Sequence, residues 1–208
     1  KISKLKDELK KIHLRREGLR RKRHESEIAN ISLIGYTNAG KSTLLNALTH
    51  SDVIAEDRLF STLDPTARRF ILPNNQKVVF VDTVGFLHNL PHHLIEAFKA
   101  TLEEVIEADI LIHILDASSP MISELNEAVH EVLEELEVHD KPIIIALNKI
   151  DKIEDKSAIE RLKKDFENAI PISALNKENL EELVHVRKGR PGSGHGAGAA
   201  GHRRGGGR

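Results

Sequence analysis

Residues 31–48 read ISLIGYTNAGKSTLLNAL: a short apolar run, a loop bounded by two glycines, then a helix-forming segment. This stretch constrains the fold more than any other, because GxxxxGKS spacing works only when a strand delivers the loop and a helix leaves it. Gly35 permits a sharp exit from the strand, and Gly40 lets successive backbone N–H groups curl toward a phosphate with no side chain in the way. The helix N-terminus beyond them adds a field suited to an anion. Lys41 would reach the β- and γ-phosphates, and the Ser42 hydroxyl would be a ligand of Mg²⁺. Tyr36, Thr37, Asn38, Ala39 and Thr43 complete the expected phosphate-binding stretch.

The remaining pattern supplies a setting for that loop. A first buried strand is expected over 28–36 and a first helix over 41–49. Residues 50–66 lack periodicity and read as a mobile loop. Arg68–Leu72 and Lys77–Val81 read as a hairpin joined through Pro73, Asn74 and Asn75. Val78 to Val81 are apolar without alternation, which predicts a strand covered on both faces. Helices are expected at 92–107 and 121–138, with the strand Ile110–Leu115 between them. A strand over Ile143–Leu147, a helix over Ala158–Asn168, a short strand at Ile170–Ile172 and a last helix over Glu178–Lys188 follow. Strand alternating with helix predicts an α/β, three-layer P-loop NTPase fold, mainly parallel with one antiparallel edge strand. The glycine loop then lies at the carboxyl edge of the sheet, where ligands bind.

Charge divides the 208 residues into three parts. Residues 1–27 carry eleven Lys/Arg against five Asp/Glu, a net charge of +6. Residues 28–188 carry sixteen against twenty-seven, a net −11, and residues 189–208 carry four Arg and no acid. The first part reads as a basic helical linker with a thin apolar stripe of Leu5, Leu9, Ile12 and Leu19. Its Arg15, Arg16, Arg20, Arg21, Lys22 and Arg23 suit contact with RNA phosphates or anionic membrane, with an ordinary solvated helix face as the rival reading. The middle part is the expected nucleotide-hydrolysing domain. In the last part, nine of twenty residues are glycine. That composition predicts a disordered Gly/Arg-rich tail. The chain has no cysteine. Disulfides and thiolate metal sites are therefore excluded, in keeping with a reducing cytoplasm. No apolar run approaches the length of a membrane span, so stable membrane insertion is not expected. The first residue is lysine rather than methionine, so the sequence reads as an excerpt.

Three further motifs follow buried strands. Asp82–Thr83–Val84–Gly85 matches DxxG, in which Asp82 can hold Mg²⁺ through water and the Gly85 N–H can meet the γ-phosphate. Asn148–Lys149–Ile150–Asp151 matches NKxD. The Asp151 carboxylate can accept both hydrogen bonds from guanine N1 and N2, and adenine offers no matching donor pair. Asn148 is expected to link the glycine loop to the base edge, and the stem of Lys149 to cover the ring. Ser173–Ala174–Leu175 then supplies a backbone contact to guanine O6 through Ala174. Together these motifs predict GTP and GDP as ligands in preference to adenine nucleotides.

With those motifs in place the chain resembles the GTPase domain of the HflX family. The resemblance rests on GYTNAGKSTLLNALT at 35–49, LFSTLDPTARRF at 59–70, VVFVDTVGFLHNLPHHLIEAFKATLEE at 78–104, NKID at 148–151 and SAL at 173–175. It implies Mg²⁺-dependent GTP hydrolysis and association with the large (50S) ribosomal subunit, in ribosome splitting or rescue, by a cytoplasmic and monomeric protein. It also implies that residues 1–27 are the end of the linker preceding that family's G domain, and so a candidate rRNA contact. Neither the family's N-terminal domain nor a folded C-terminal extension is part of this sequence, and the glycine-rich tail does not resemble the family.

Matching Phe60–Ser61–Thr62 to the related FTT segment makes Thr62 the expected Mg²⁺ and γ-phosphate ligand, with Thr66 as the alternative. Lys41, Thr62 and Gly85 are the expected catalytic contacts. Phe86 stands where many small GTPases carry a water-positioning glutamine. Its ring cannot orient water, so hydrolysis is expected to be slow without a partner. A nucleotide-sensitive interaction module with little turnover of its own is the alternative function. Asn38 holds the place of the asparagine in the GxPNxGKS loops of K⁺-activated relatives. It is read either as a K⁺ ligand beside the phosphates or as a loop-stabilising side chain.

Overall fold

Near-continuous apolar strands need cover on both faces, and helices whose apolar stripes are no wider than one face can supply it. The computed structural model describes residues 28–49, 66–83, 85 and 102–185, and all structural statements concern these. The strands are β1 (Ala29–Ile34), β2 (Thr66–Ile71), β3 (Lys77–Asp82), β4 (Ile110–Asp116), β5 (Ile143–Asn148) and β6 (Ile170–Pro171). The helices are α1 (Lys41–Thr49), α2 (Ile122–Glu135), α3 (Lys156–Asp165) and α4 (Leu180–His185). Residues 102–106 are also helical, and Ile150–Lys152 form one 3₁₀ turn.

The sheet order is β2-β3-β1-β4-β5-β6. β2 runs antiparallel to β3 and every other pairing is parallel. Side chains on successive strand residues point to opposite faces. Ile31 and Leu33 of β1, Val78 and Phe80 of β3, and Ile112 and Ile114 of β4 therefore pack on Leu44, Leu45 and Leu48 of α1. On the other face Ile34 and Leu111 meet Leu102, Val105, Val129 and Leu133, and Leu115 and Leu147 meet Ile122 and Phe166. Each such side chain, fully buried, contributes about 1.5–3 kcal/mol relative to exposure. Helices on both faces of the sheet make three layers.

The edge hairpin turns at Asn75, whose φ of 63° is the left-handed conformation that asparagine tolerates. β2 begins at Thr66, two residues before the strand expected from the sequence, because its antiparallel register carries Thr66 to a position opposite Asp82. α2 is shorter than the expected 121–138. Its last turn gives way to Glu137 at φ 57°, where Val138 N–H bonds back to Leu133 O at 2.9 Å. The basic linker, the loop over 50–65, the first part of the expected helix 92–107 and the tail lie outside the described residues. No helix among the described residues is long and apolar enough to cross a membrane.

Candidate functional site

β1 ends at Ile34 and hands the chain to Gly35, whose φ is 145°. A Cβ there would lie 2.3 Å from the Ile114 carbonyl oxygen, so only glycine lets the loop leave this close to β4. Asn38 adopts φ 63° in mid-loop, and Ala39 N–H closes the turn on Tyr36 O at 3.2 Å. Gly40 has φ 101°, and a Cβ on it would lie 2.2 Å from Asn148 Nδ2. The loop's second glycine thus makes room for the Asn148 side chain.

α1 opens at Lys41, whose side chain is buried and folds back across its own loop. Its ammonium donates to Gly35 O at 3.1 Å and Tyr36 O at 2.9 Å. An ammonium has three hydrogens, so one remains for a phosphate oxygen. Burial pushes Lys41 down to about 8, against an opposing pull from the Asp82 carboxylate. Ser42 Oγ donates to Asp82 Oδ2 at 2.6 Å. Both groups are buried. They set two hard oxygen donors side by side at the mouth of the loop, the donor type that Mg²⁺ selects. Thr83 Oγ1 donates to Leu33 O at 2.6 Å and ties the turn after β3 to β1. That turn brings Gly85 over the loop: a Cβ on it would lie 2.7 Å from Thr37 Cα and 3.0 Å from Lys41 Nζ.

The NKID and SAL segments converge on the same loop. β5 delivers Asn148, whose Nδ2 donates to Ala39 O at 2.8 Å while its Oδ1 accepts from Ala174 N at 3.0 Å. One amide therefore joins the glycine loop, NKID and SAL. Ser173 Oγ donates to Asp151 Oδ1 at 2.5 Å and accepts from Asn176 N at 3.1 Å, orienting the carboxylate expected to meet guanine. Leu175 is 71% exposed, so of the SAL segment it is Ser173 and Ala174 that the fold gathers inward. Thr43 sits half-buried in the first turn of α1. Thr62 lies outside the described residues, and Thr66 stands opposite Asp82 at the start of β2.

A family model of 50S ribosome-binding GTPases matches residues 30–149. A GTPase HflX of Lacrimispora saccharolytica is 44% identical over 186 residues, which is 89% of this chain and 44% of that protein. The chain belongs to the HflX family of GTPases. It spans less than half the length of that HflX relative. Among solved structures, a GTP-binding protein of Sulfolobus solfataricus in complex with GDP is 33% identical with a TM-score of 0.60, over 86% of this chain and 58% of that one. Era in complex with MgGDPNP and nucleotides 1506–1542 of 16S ribosomal RNA is 28% identical with a TM-score of 0.61, over 76% and 54%.

One residue of this HflX-family chain joins the site without a motif to announce it. Asp116 ends β4 in register with Asn148. Its Oδ2 lies 2.7 Å from Lys149 Nζ, and its Oδ1 accepts from Ser118 N at 3.0 Å and Ser118 Oγ at 2.6 Å. Burial pushes the Asp116 carboxyl up, but the hydrogen bonds from Lys149 and Ser118 outweigh it and hold its pKa below the ordinary value. Lys149 itself adopts φ 66°, so its stem is directed by a strained backbone at one end and an ion pair at the other. The readable signal was a carboxylate at the carboxyl end of a buried strand, next to the strand that carries NKID. His113, three residues before Asp116 in β4, is wholly buried against α2 with its ring 5.9 Å from that of His130. Burial pushes it down to about 3, with His130 and Lys41 acting in the same direction, so it is a neutral core side chain.

Proposed function

We propose that this chain is the GTP-binding and GTP-hydrolysing part of a ribosome-associated switch that acts on the large (50S) subunit. The observation that carries the reading is Asn148, which ties the phosphate loop at Ala39 to the base-side segment at Ala174 through one buried amide. A phosphate loop alone fits any nucleoside triphosphate. Its coupling to a carboxylate held by Ser173 favours guanine, whose N1 and N2 hydrogens pair with both oxygens.

The residues fit Mg²⁺. Ser42 and Asp82 already place oxygen donors 2.6 Å apart, and Thr62 would complete the set. When bound, the ion offsets the charge of the β- and γ-phosphates. Lys41 holds the same phosphates from the loop side, and the Gly85 N–H meets the γ-phosphate, so that its loss releases the turn after β3. Gly35, Tyr36, Thr37, Asn38, Ala39, Gly40 and Thr43 form the phosphate cradle. Asn148, Lys149, Asp151, Ser173, Ala174 and Leu175 form the base side. The Asn38 carbonyl is a candidate K⁺ ligand beside the phosphates.

Residues 28–188 form the proposed GTPase domain, 1–27 a basic linker that contacts rRNA, and 189–208 a tail outside it. The protein works as a monomer in the cytoplasm. The ribosomal reading draws support from the family and from Era, whose complex contains 16S rRNA. The test is GTP turnover by the free protein and with isolated 50S, 30S and 70S particles. Stimulation by 50S is the expected result. Nucleotide-dependent binding to 50S with no turnover would favour the interaction-module reading, and equal rates in all four samples would refute the ribosomal one.

A further inference from the structure

We propose that the Thr37 hydroxyl positions the water that attacks the γ-phosphate, a task given elsewhere to the glutamine whose place Phe86 takes here. The inference rests on the hydrolytic reading above and adds a residue to it.

Five hydroxyl side chains are buried among the described residues: Ser32, Thr37, Ser42, Thr83 and Ser173. Ser32 donates to Glu104 O at 2.7 Å, Ser42 to Asp82, Thr83 to Leu33 O, and Ser173 to Asp151. Thr37 Oγ1 has no hydrogen-bond partner among the described residues, although the residue is 8% exposed. A buried hydroxyl without a partner is costly, and such groups persist where a ligand supplies the missing bond.

The surroundings identify that ligand. Thr37 lies in mid-loop between Gly35 and Gly40, and the Cβ position of Gly85 is 2.8 Å from Thr37 Cγ2 and 3.0 Å from Lys41 Nζ. The residue therefore sits where the phosphate lysine and the DxxG glycine converge, at the γ end of a nucleotide threaded through the loop.

A hydroxyl can donate one hydrogen bond and accept others. Thr37 Oγ1 donates to a γ-phosphoryl oxygen and accepts from the attacking water, the two contacts that a glutamine amide would make. The water oxygen forms its bond to the γ-phosphorus as the bond from phosphorus to the β–γ bridging oxygen breaks. The electron pair of that bond stays on GDP, the water's proton ends on the released phosphate, and Thr37 keeps its own.

The test compares wild type, Thr37→Val and Thr37→Ser in single-turnover GTP hydrolysis with 50S particles, alongside equilibrium affinities for GDP and a non-hydrolysable GTP analogue. Valine keeps the shape and removes the hydroxyl; serine keeps the hydroxyl and removes the methyl. Thr37→Val should hydrolyse about 100- to 1,000-fold more slowly, the scale of one donor aimed at the reacting phosphate, with GDP affinity changed by no more than about twofold because GDP lacks the γ-phosphoryl oxygen that the hydroxyl meets. Thr37→Ser should stay near the wild-type rate. A wild-type rate in Thr37→Val overturns the proposal, as does equal slowing in both variants or a parallel loss of GDP affinity, since these mark a packing role. Wild type that binds nucleotide but turns over no faster than Lys41→Ala would overturn the hydrolytic reading, and this inference with it.

Discussion

Replacing Gly40 by alanine should damage the site through Asn148, and the size of the effect follows from the geometry. At φ 101° a non-glycine residue is strained by about 1–3 kcal/mol. The added Cβ would also lie 2.2 Å from Asn148 Nδ2, so the amide must move and give up its bond to Ala39 O. Each buried group left unpaired costs about 1–3 kcal/mol, which brings Gly40→Ala to about 2–6. Asn148→Ala alone removes the bonds to Ala39 O and Ala174 N, for about 2–6 kcal/mol by the same scale. In the double variant the collision disappears and the Ala39 bond is lost only once. The combined loss should therefore fall short of the sum by about 1–3 kcal/mol. Urea unfolding of the four nucleotide-free proteins measures the cycle, with GDP affinity as a second readout. Additivity within about 0.5 kcal/mol would show that the two sites are independent and refute the argument.

Three further outcomes are expected. Asp151→Asn should shift preference from guanine toward xanthine nucleotides by at least about tenfold, because the amide no longer matches two donors; competitive binding of GDP and xanthosine diphosphate measures the ratio, and an unchanged ratio would refute the role. Asp116→Ala should free Lys149 and weaken both diphosphates together with no change in that ratio. The depressed Asp116 pKa also contributes stability that is present above the ordinary aspartate value and lost as pH falls, so acid unfolding should begin at higher pH in the variant. Lys41, at about 8 without nucleotide, should take up about half a proton when GDP binds at pH 8 and about a tenth at pH 7, read by calorimetry in buffers of different ionisation enthalpy. Because its folded pKa lies below the ordinary lysine value of 10.5, the unfolded chain holds more protons above pH 8, and nucleotide-free stability should rise with pH there.

The sequence by itself determined the parts whose physics is local. GxxxxGKS between an apolar run and a helix predicted β1, the loop and α1, with the helix bounds at Lys41–Thr49 as observed. Continuous apolar runs predicted β3, β4 and β5, since a strand buried on both faces carries its signature in consecutive residues. NKID and SAL were legible because their order along the chain is the order of the strands that deliver them. Only the tertiary structure decided what those parts do to one another. The sequence assigned Gly40 to phosphate approach, and the fold gives it a second duty toward Asn148, 108 positions away. Asp116 and Lys149 meet only because β4 and β5 are parallel neighbours in the register that sets Asp116 beside Asn148. His113 reads as one polar letter in an apolar strand, and its burial depends on α2 lying over that strand position. Thr37 carries no motif signal, because a missing hydrogen bond is a property of everything around a hydroxyl. Periodicity and spacing report the neighbours of a residue in the chain; strand order and register decide its neighbours in space.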